Sequence, residues 1–534
     1  HRIRCGDSLV GIWDPAVLKK GIPDGAYDPV AGDDKGIAKS LKRRNEQERA
    51  GQQVLFGEPL DDKLLESALE ALDLDKIPDD SVEAIAEKQR RFNAIQHSLF
   101  AIRQAANLWT AAFFQELKPG SPGITTDAVR RALAGQPVHG QIAGLTEALA
   151  HRLRFFHWPL EFPEVFADGG FDCILGNPPH GGAISLAAKR LLAVLFPSAT
   201  TAHNSAAYFI ALASSILSVR GRAGLVVPKS FTFSHAWTRS RNALLPGLLS
   251  VVDVGRAWPV VLLEQVLITF AKPSTRHTST ITLGRLVDRV FVPSRLINQD
   301  LIAKLGIIPT GLSEDDYALL HAVHAQASST LASICSTRRG TAIQRFLLQH
   351  GDIPALLGRD ISEFERPVYS RFVNRRQIDP NLLRFTSPPQ AVFQNIVAHV
   401  KQPHDHLRLI GTVIHERVAC ADTVNLIFIH HEAISPHVVC GLLMSDLINW
   451  FVYICVYNRA IRTMHFDGYV LSRIIIPEAK KLSALVEPAL LLECDPRSQD
   501  AWEALNEAVY NAYAIPKSLR QYVTARHRPR WIQS

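Results

Sequence analysis

Cysteine is sparse in this chain. Seven residues among 534 cannot make a disulfide framework, so a reducing cytoplasm is the expected setting. The first residue is His1 rather than Met, and no basic-then-apolar leader follows it. One apolar run, 438–457, has about the length of a membrane span, but it carries Ser445, Asp446 and Asn449. Such groups are costly at bilayer depth, so a buried helix and no membrane contact are expected. Paired Cys-x-x-Cys and His-Glu-x-x-His are absent. His430, His431, His437 and Cys440 have only loosely metal-like spacing, so no metal is expected. There is no Gly-x-x-x-x-Gly-Lys-Ser/Thr phosphate loop and no convincing Asp…Glu-x-Lys nuclease set, so cleavage of a nucleic acid would need another region or subunit. Internal repeats and low-complexity segments are missing as well.

What is present is a globular composition: 47% hydrophobic, 20% charged, 31 Gly and 31 Pro. At roughly 150 residues per domain the length suggests two to four domains. The net charge of +7 permits a polyanionic partner without requiring one.

The texture changes along the chain. Residues 1–36 are mixed and rich in turns. Residues 37–156 read as helical, and Phe92, Ile95, Leu99, Ile102, Ala106, Trp109 and Phe113 recur at spacings of three and four, the stripe of one long helix. From Phe171 the pattern alternates. FDCILGN reads as a buried strand, 204–219 as an apolar helix, and 223–228, 249–254 and 261–270 as further strands. Strand, helix, strand in about sixty residues suggests a βαβ unit, a mostly parallel sheet and a doubly wound α/β layer. Beyond about residue 305 strand-like runs (413–418, Val424–Ile429) mix with helices (390–400, 438–457), as in a separate α+β domain. The tail 517–530 carries Lys517, Arg520, Arg526, Arg528 and Arg530 without an acid. It suits a polyanion or simple solvation.

The chemistry is concentrated in Asn177-Pro178-Pro179-His180, directly after the strand 171–176. Ligands of open α/β sheets bind beyond the carboxyl ends of strands. Two prolines stiffen the loop and remove two N–H donors. The Asn177 side-chain oxygen and the Pro178 carbonyl are then fixed acceptors for the two hydrogens of an amino group, which raises electron density on that nitrogen as it attacks a methyl donor. The next residue should offer a flat face to the substrate.

Asp/Asn-Pro-Pro-aromatic after a buried strand resembles the catalytic motif of amino-methyltransferases that use S-adenosyl-L-methionine. FHWPLEFPEVF at 156–166, followed by FDCILGNPP, resembles the large adenine-specific DNA methyltransferases of type IIG restriction–modification and of BREX and DISARM phage-defence systems. GDSLVG near the start, GRAGLVVPKSF at 221–231, VVDVGRAW…LLEQVLITF at 251–270, IPALLGRDISEFER at 353–366, ADTVNLIFI at 421–429 and LSRIIIPE at 471–478 follow in the family's order. The resemblance implies that Asn177 and Pro178 hold the N6 amine of a flipped adenine, that Asp7 contacts the adenine end of the donor, and that Trp258 stacks on the other face of the base. His180 departs from the family's Tyr, Phe or Trp. The family's glycine-rich donor motif lies upstream of GDSL and does not occur here. The expectation is therefore a truncated or split protein, with the first strand–loop–helix on a missing region or a separate polypeptide.

The resemblance implies a Rossmann-like methyltransferase sheet, incomplete at its N-terminus, with a helical insertion and a C-terminal α+β target-recognition domain. Its boundaries are expected at 1–36 (remnant of the methyltransferase domain), 37–156 (insertion), 157–304 (catalytic domain) and 305–534 (DNA specificity). Arg338, Arg339, Arg359, Arg371, Arg375 and Arg376 cluster in the last of these and are candidates for double-stranded DNA contact, since arginine clamps phosphates and reads guanine edges. The expected function is site-specific adenine N6-methylation in a cytoplasmic restriction or defence system. Cytosine N4 relatives usually have Ser at the position of Asn177. Two rivals remain: a catalytically silent DNA-recognition subunit, and an amino-methyltransferase acting on protein glutamine or RNA. Members of the latter class are much shorter than this chain.

Overall fold

The computed structural model describes residues 2–51, 60–256, 263–273, 280–287, 290–379, 381, 383–460 and 464–530. The chain divides into two compact units, His1–Phe231 with Ala236–Ile281, and Thr232–His235 with Thr282–Ser534.

The first unit opens with helices: α1 (Lys35–Ala50), α2 (Leu60–Leu74), α3 (Val82–Ser98), α4 (Phe100–Ala111), α5 (Thr126–Leu133) and α6 (Gly140–Leu153). The expected stripe does face one core, with Ile95, Leu99, Ile102, Ala106, Trp109 and Phe113 all buried. It is not one helix. The Ser98 hydroxyl donates to the Ile95 carbonyl, a local bond that competes with the helical ladder. The helix stops and restarts at Leu99, and Phe113 lies beyond α4.

After this bundle come β1 (Phe171–Gly176), α7 (Leu186–Leu195), α8 (Ser205–Ile216), β2 (Leu217–Pro228), β3 (Leu248–Gly255) and β4 (Gln265–Ala271). Within the unit the sheet order is β1-β2-β4-β3. β1 and β2 are parallel and joined through helices. The expectation of a mostly parallel sheet is corrected here: β4 is antiparallel to both β2 and β3. The stretch between Gly255 and Gln265 is shorter than the dozen or so residues a parallel crossover needs, so β4 turns back between its neighbours. The sheet is mixed.

The second unit is α+β. A four-stranded antiparallel sheet contains β5 (Cys335–Arg339), β8 (Gln390–Gln394), β9 (Gly411–Ile414) and β11 (Val424–Ile429), in the order β9-β8-β11-β5. A smaller sheet, β7-β6-β10, is built from β6 (Ile353–Leu356), β7 (Phe372–Val373) and β10 (Ala419–Cys420). The helix expected over 390–400 is thus replaced by β8 and a short strand, Ala398–Val400. The run 438–457 is buried as expected, but broken into α9 (Pro436–Met444), α10 (Asp446–Phe451) and a π-helical turn, with a bend of 58°. Its polar residues make the break. Ser445 caps α10, and the Asn449 amide donates to the Leu443 and Ser445 carbonyls at 3.1 and 2.6 Å. Among the described residues no single helix is long and apolar enough to cross a membrane. α11 (Val486–Cys494) and α12 (Gln499–Ala512) complete the core, with Trp502 fully buried. The basic tail is partly consumed internally: Arg520 pairs with Glu507 and Arg530 with Glu363.

Candidate active site

The loop 177–180 leaves the carboxyl end of β1. Because β2 and β3 run in the same direction, Lys229 and Gly255 end at that same side of the sheet. Pro178 is buried, whereas Asn177 and Pro179 are exposed. The Asn177 amide has no hydrogen-bond partner among the described residues, so both its oxygen and its NH₂ are open to a ligand. The loop is tied down from the next helix. Asn204 caps α8 by accepting from the Ala206 N–H at 3.0 Å, and the Ser205 hydroxyl donates to the Pro179 carbonyl.

A pocket of about 230 Å³ opens beside this loop. Asn177, Pro178 and Pro179 form one wall; Trp158, Ser8 and Phe209 contribute others. The N-terminal segment reaches it by pairing with the chain after α6. The Asp7 N–H donates to Arg154 O at 2.8 Å, Phe156 N–H to Val10 O at 2.8 Å, and Trp158 N–H to Ile12 O at 3.0 Å. The Trp158 indole N–H donates to Ser8 O at 3.0 Å. Gly11 permits this approach: a Cβ there would lie 1.9 Å from Phe156 O. Beneath the segment, His157 is sealed in. Its Nδ1 accepts from Ile12 N–H at 3.2 Å, and Nε2 lies 2.8 Å from Asn107 Oδ1. Burial, aided by the Arg103 charge, pushes its imidazole down to about 3, so it is neutral.

Of the sequence candidates, Asn177, Pro178 and Pro179 line this pocket together. Asp7 does not: its Oδ1 accepts from the Leu9 N–H at 3.1 Å, an Asx turn, and its side chain is exposed next to the lining residue Ser8. Both ring nitrogens of His180 are covered by protein without a hydrogen-bond partner, and burial lowers its basicity. His180 follows the three lining residues in sequence but is not itself part of the pocket's lining. Trp258 lies outside the described residues.

Sequence reasoning overlooked Trp158, Ser8 and Ser205. It also overlooked a buried charge cluster at the same end of the sheet, where Lys229 Nζ lies 2.9 Å from Asp253 Oδ2 and 3.3 Å from Glu264 Oε1. A lysine ending a strand within VVPKSF, with acids near the ends of the next two strands, was the available signal.

The arginine candidates fall in the second unit. Arg338 and Arg339 are on β5, and Arg339 meets the Asp422 carbonyl and carboxylate. Arg359 lies in the turn 358–360, whose Gly358 N–H donates to Thr423 Oγ1 at 2.9 Å, so Arg339 and Arg359 flank one turn, 422–423. Arg371 is half-buried beside β6. Arg375 and Arg376 are exposed after β7, with their backbone N–H groups fixed by Asp352 and Asn374.

Residues 96–247 match the family model of the Eco57I restriction-modification methylase. Among curated proteins, a putative type II restriction enzyme and methyltransferase of Methanocaldococcus jannaschii, RM.MjaORFECS2P, is 30% identical over 93 residues, which is 17% of this chain and 8% of that protein. The chain therefore spans a small part of that relative. Among solved structures, the type IIG restriction endonuclease BpuSI aligns over 90% of this chain and 68% of its own, at 10% identity and a TM-score of 0.28. A nuclease-deletion mutant of the type ISP restriction-modification enzyme LlaGI, in complex with a DNA substrate mimic, aligns over 89% and 54%, at 11% identity and a TM-score of 0.35. The stretch that carries the Asn-Pro-Pro loop, α8 and β2 lies inside the matched segment, and the chain resembles the restriction–modification methylases.

Proposed function

We propose that this chain provides the acceptor side of a site-specific DNA adenine N6-methyltransferase in a restriction–modification or phage-defence system, acting in the cytoplasm on double-stranded DNA with S-adenosyl-L-methionine as donor. The observation that carries this reading is the unpaired Asn177 amide on the rim of a pocket walled by Trp158 and two prolines. An extruded adenine offers two amine hydrogens, one for Asn177 Oδ1 and one for the Pro178 carbonyl. Accepting both holds the nitrogen in place and makes it more nucleophilic, and the stacking role falls to the adjoining His180 ring.

S-adenosyl-L-methionine supplies an electrophilic methyl group when bound. The pocket, at about 230 Å³, is smaller than the roughly 300–1,000 Å³ that encloses a whole ligand of that size. It fits one planar ring and not the entire donor. The remaining donor contacts are assigned to Asp7 and to a further region or separate polypeptide carrying the glycine-rich loop. The edge of the sheet supports this division. Among the described residues β1 ends the strand order, and Leu175 on β1 and Val219 on the adjoining β2 are 80% and 78% exposed. An edge strand with exposed apolar side chains is a surface that another segment or chain can cover. Residues 305–534 take the role of DNA recognition, with the six arginines as its contacts.

Tritium transfer from labelled S-adenosyl-L-methionine to unmethylated genomic DNA tests the reading. The chain, the chain joined to the coding sequence that precedes it, and the Asn177→Ala variant of each are compared. Label in N6-methyladenine from the joined protein, abolished by Asn177→Ala, is the expected result. DNA binding without transfer by either intact protein overturns the catalytic assignment in favour of a silent recognition subunit.

A further inference from the structure

Three elements of the second unit bring His415, His437 and Glu493 together. His415 follows β9, His437 lies in the first turn of α9, and Glu493 lies in the last turn of α11. The carboxylate sits between the imidazoles. Oε2 is 2.8 Å from His437 Nε2, and Oε1 contacts His415 Nε2. The rings are inclined by 35° with centroids 6.1 Å apart, and all three donor atoms lie within 4.8 Å of one another. The His437 side chain is 13% exposed and that of His415 41%, so the cluster is closed on the α9 side and open on the β9 side.

Two imidazole nitrogens and one carboxylate oxygen form a donor set suited to zinc, with bond lengths of about 2.0–2.2 Å and tetrahedral angles. Those values place donor atoms roughly 3.3 Å apart. His437 and Glu493 need separate by only about half an ångström to admit an ion, and the exposed His415 ring is free to turn toward it. Both nitrogens are Nε2, and the tautomer that carries its proton on Nδ1 offers the Nε2 lone pair of each ring to an ion. Calcium and magnesium prefer all-oxygen sets, which this is not. Three protein donors would leave a fourth tetrahedral position for water.

We propose that His415, His437 and Glu493 bind one divalent transition-metal ion, zinc by donor chemistry, and that the ion pins β9 to α9 and α11. The sequence pattern pointed elsewhere: of the four residues with loosely metal-like spacing only His437 takes part, while His430 bonds to Ser336. His415 and Glu493 lie too far from it in sequence for any spacing rule. This site is independent of the methyl-transfer reading, because its readout is metal uptake.

The test uses the full chain stripped with a chelator and titrated with ZnCl₂ in a calorimeter, and with Co²⁺ followed by its visible absorption. One equivalent of zinc, a four-coordinate Co²⁺ spectrum and a raised unfolding midpoint are expected. His415→Ala and Glu493→Gln should each weaken the affinity by about 100-fold or more, since even outer-shell changes cost 10–100-fold. His415 is exposed enough that its removal leaves the fold intact, which unfolding of the metal-free variant checks. No stoichiometric uptake overturns the proposal. So does uptake that His415→Ala and Glu493→Gln leave unchanged, which would place the metal elsewhere on the chain.

Discussion

The Ser205 hydroxyl donates a hydrogen bond to the Pro179 carbonyl, joining the first turn of α8 to the loop after β1. The loop needs such an outside brace. Pro178 and Pro179 have no N–H with which to build a turn of their own. Asn204 fixes the helix terminus, Ser205 fixes the loop to that terminus, and the Asn177 amide is left free on the same short segment.

Ser205→Ala should therefore loosen Asn177 without removing it. The expected loss of stability is about 1 kcal/mol, the net worth of one hydrogen bond. Methyl transfer by the joined protein should fall about tenfold or more through kcat, because a small misplacement of an acceptor costs more than its binding energy. Steady-state kinetics beside a thermal melt check both. Unchanged kcat would show that the prolines alone hold the loop.

The Lys229 ammonium is buried between Asp253 and Glu264. Lys229→Met leaves two largely buried carboxylates facing each other and should cost about 3–5 kcal/mol, as broken buried pairs do. Lys229→Met combined with Asp253→Asn and Glu264→Gln should recover much of that loss. Urea unfolding of the single and triple variants measures it, and a single variant as stable as the parent would show that the charges are solvated.

The strand preceding the Asn-Pro-Pro loop was legible because its apolar run stops at a polar turn, but it is not the buried strand expected, since Asp172, Cys173, Leu175 and Gly176 are exposed. β3, β4 and β11 were legible for the same reason. β8 was not. Gln390, Ala391, Val392 and Phe393 are buried in succession, so the strand shows no alternation and reads like a helical segment. The break at Leu99 turns on one serine hydroxyl, which a spacing rule cannot see. Within the site, the acceptor residues are adjacent in sequence and were found. Ser8 and Trp158 are 150 positions apart and meet only through strand-like pairing of the N-terminal segment with residues 154–158. Of the arginines, sequence could not tell Arg339, engaged by Asp422, from Arg375 and Arg376, which have no ion pair among the described residues.

That difference makes a prediction about DNA. Arg375→Ala with Arg376→Ala should weaken binding to all duplexes alike and reduce the slope of log affinity against log salt by about 0.9 per lost phosphate contact. Arg339→Ala should change the slope less, because its charge is partly spent on Asp422. Fluorescence anisotropy over a salt series reads the slopes. Identical slopes in the parent and the double variant would remove these two residues from the interface.

His157 gives the chain a specific sensitivity to acid. Nδ1 accepts the Ile12 N–H, so the ring proton is on Nε2, donated to Asn107 Oδ1. Protonating Nδ1 would break the first bond and bury a charge near Arg103. In the unfolded chain the ring takes up its proton near pH 6.5; in the folded chain burial delays this to about 3. The unfolded state thus binds more protons between those values, and stability falls as pH drops through that window, remaining full above it. At pH 5 the cost is about 2 kcal/mol. His406 and His527, both pushed down to about 4 by burial, add slope of the same sign. His157→Gln keeps an amide donor and acceptor but cannot titrate. It should be less stable than the parent at pH 7.5, with the gap narrowing by about 2 kcal/mol at pH 5 as the parent loses its His157 contribution. Urea midpoints at pH 7.5, 6 and 5 measure this. Parallel profiles for the two proteins would mean that His157 takes up its proton at the same pH folded and unfolded, and that the pairing of residues 10–12 with 155–158 does not depend on a neutral ring.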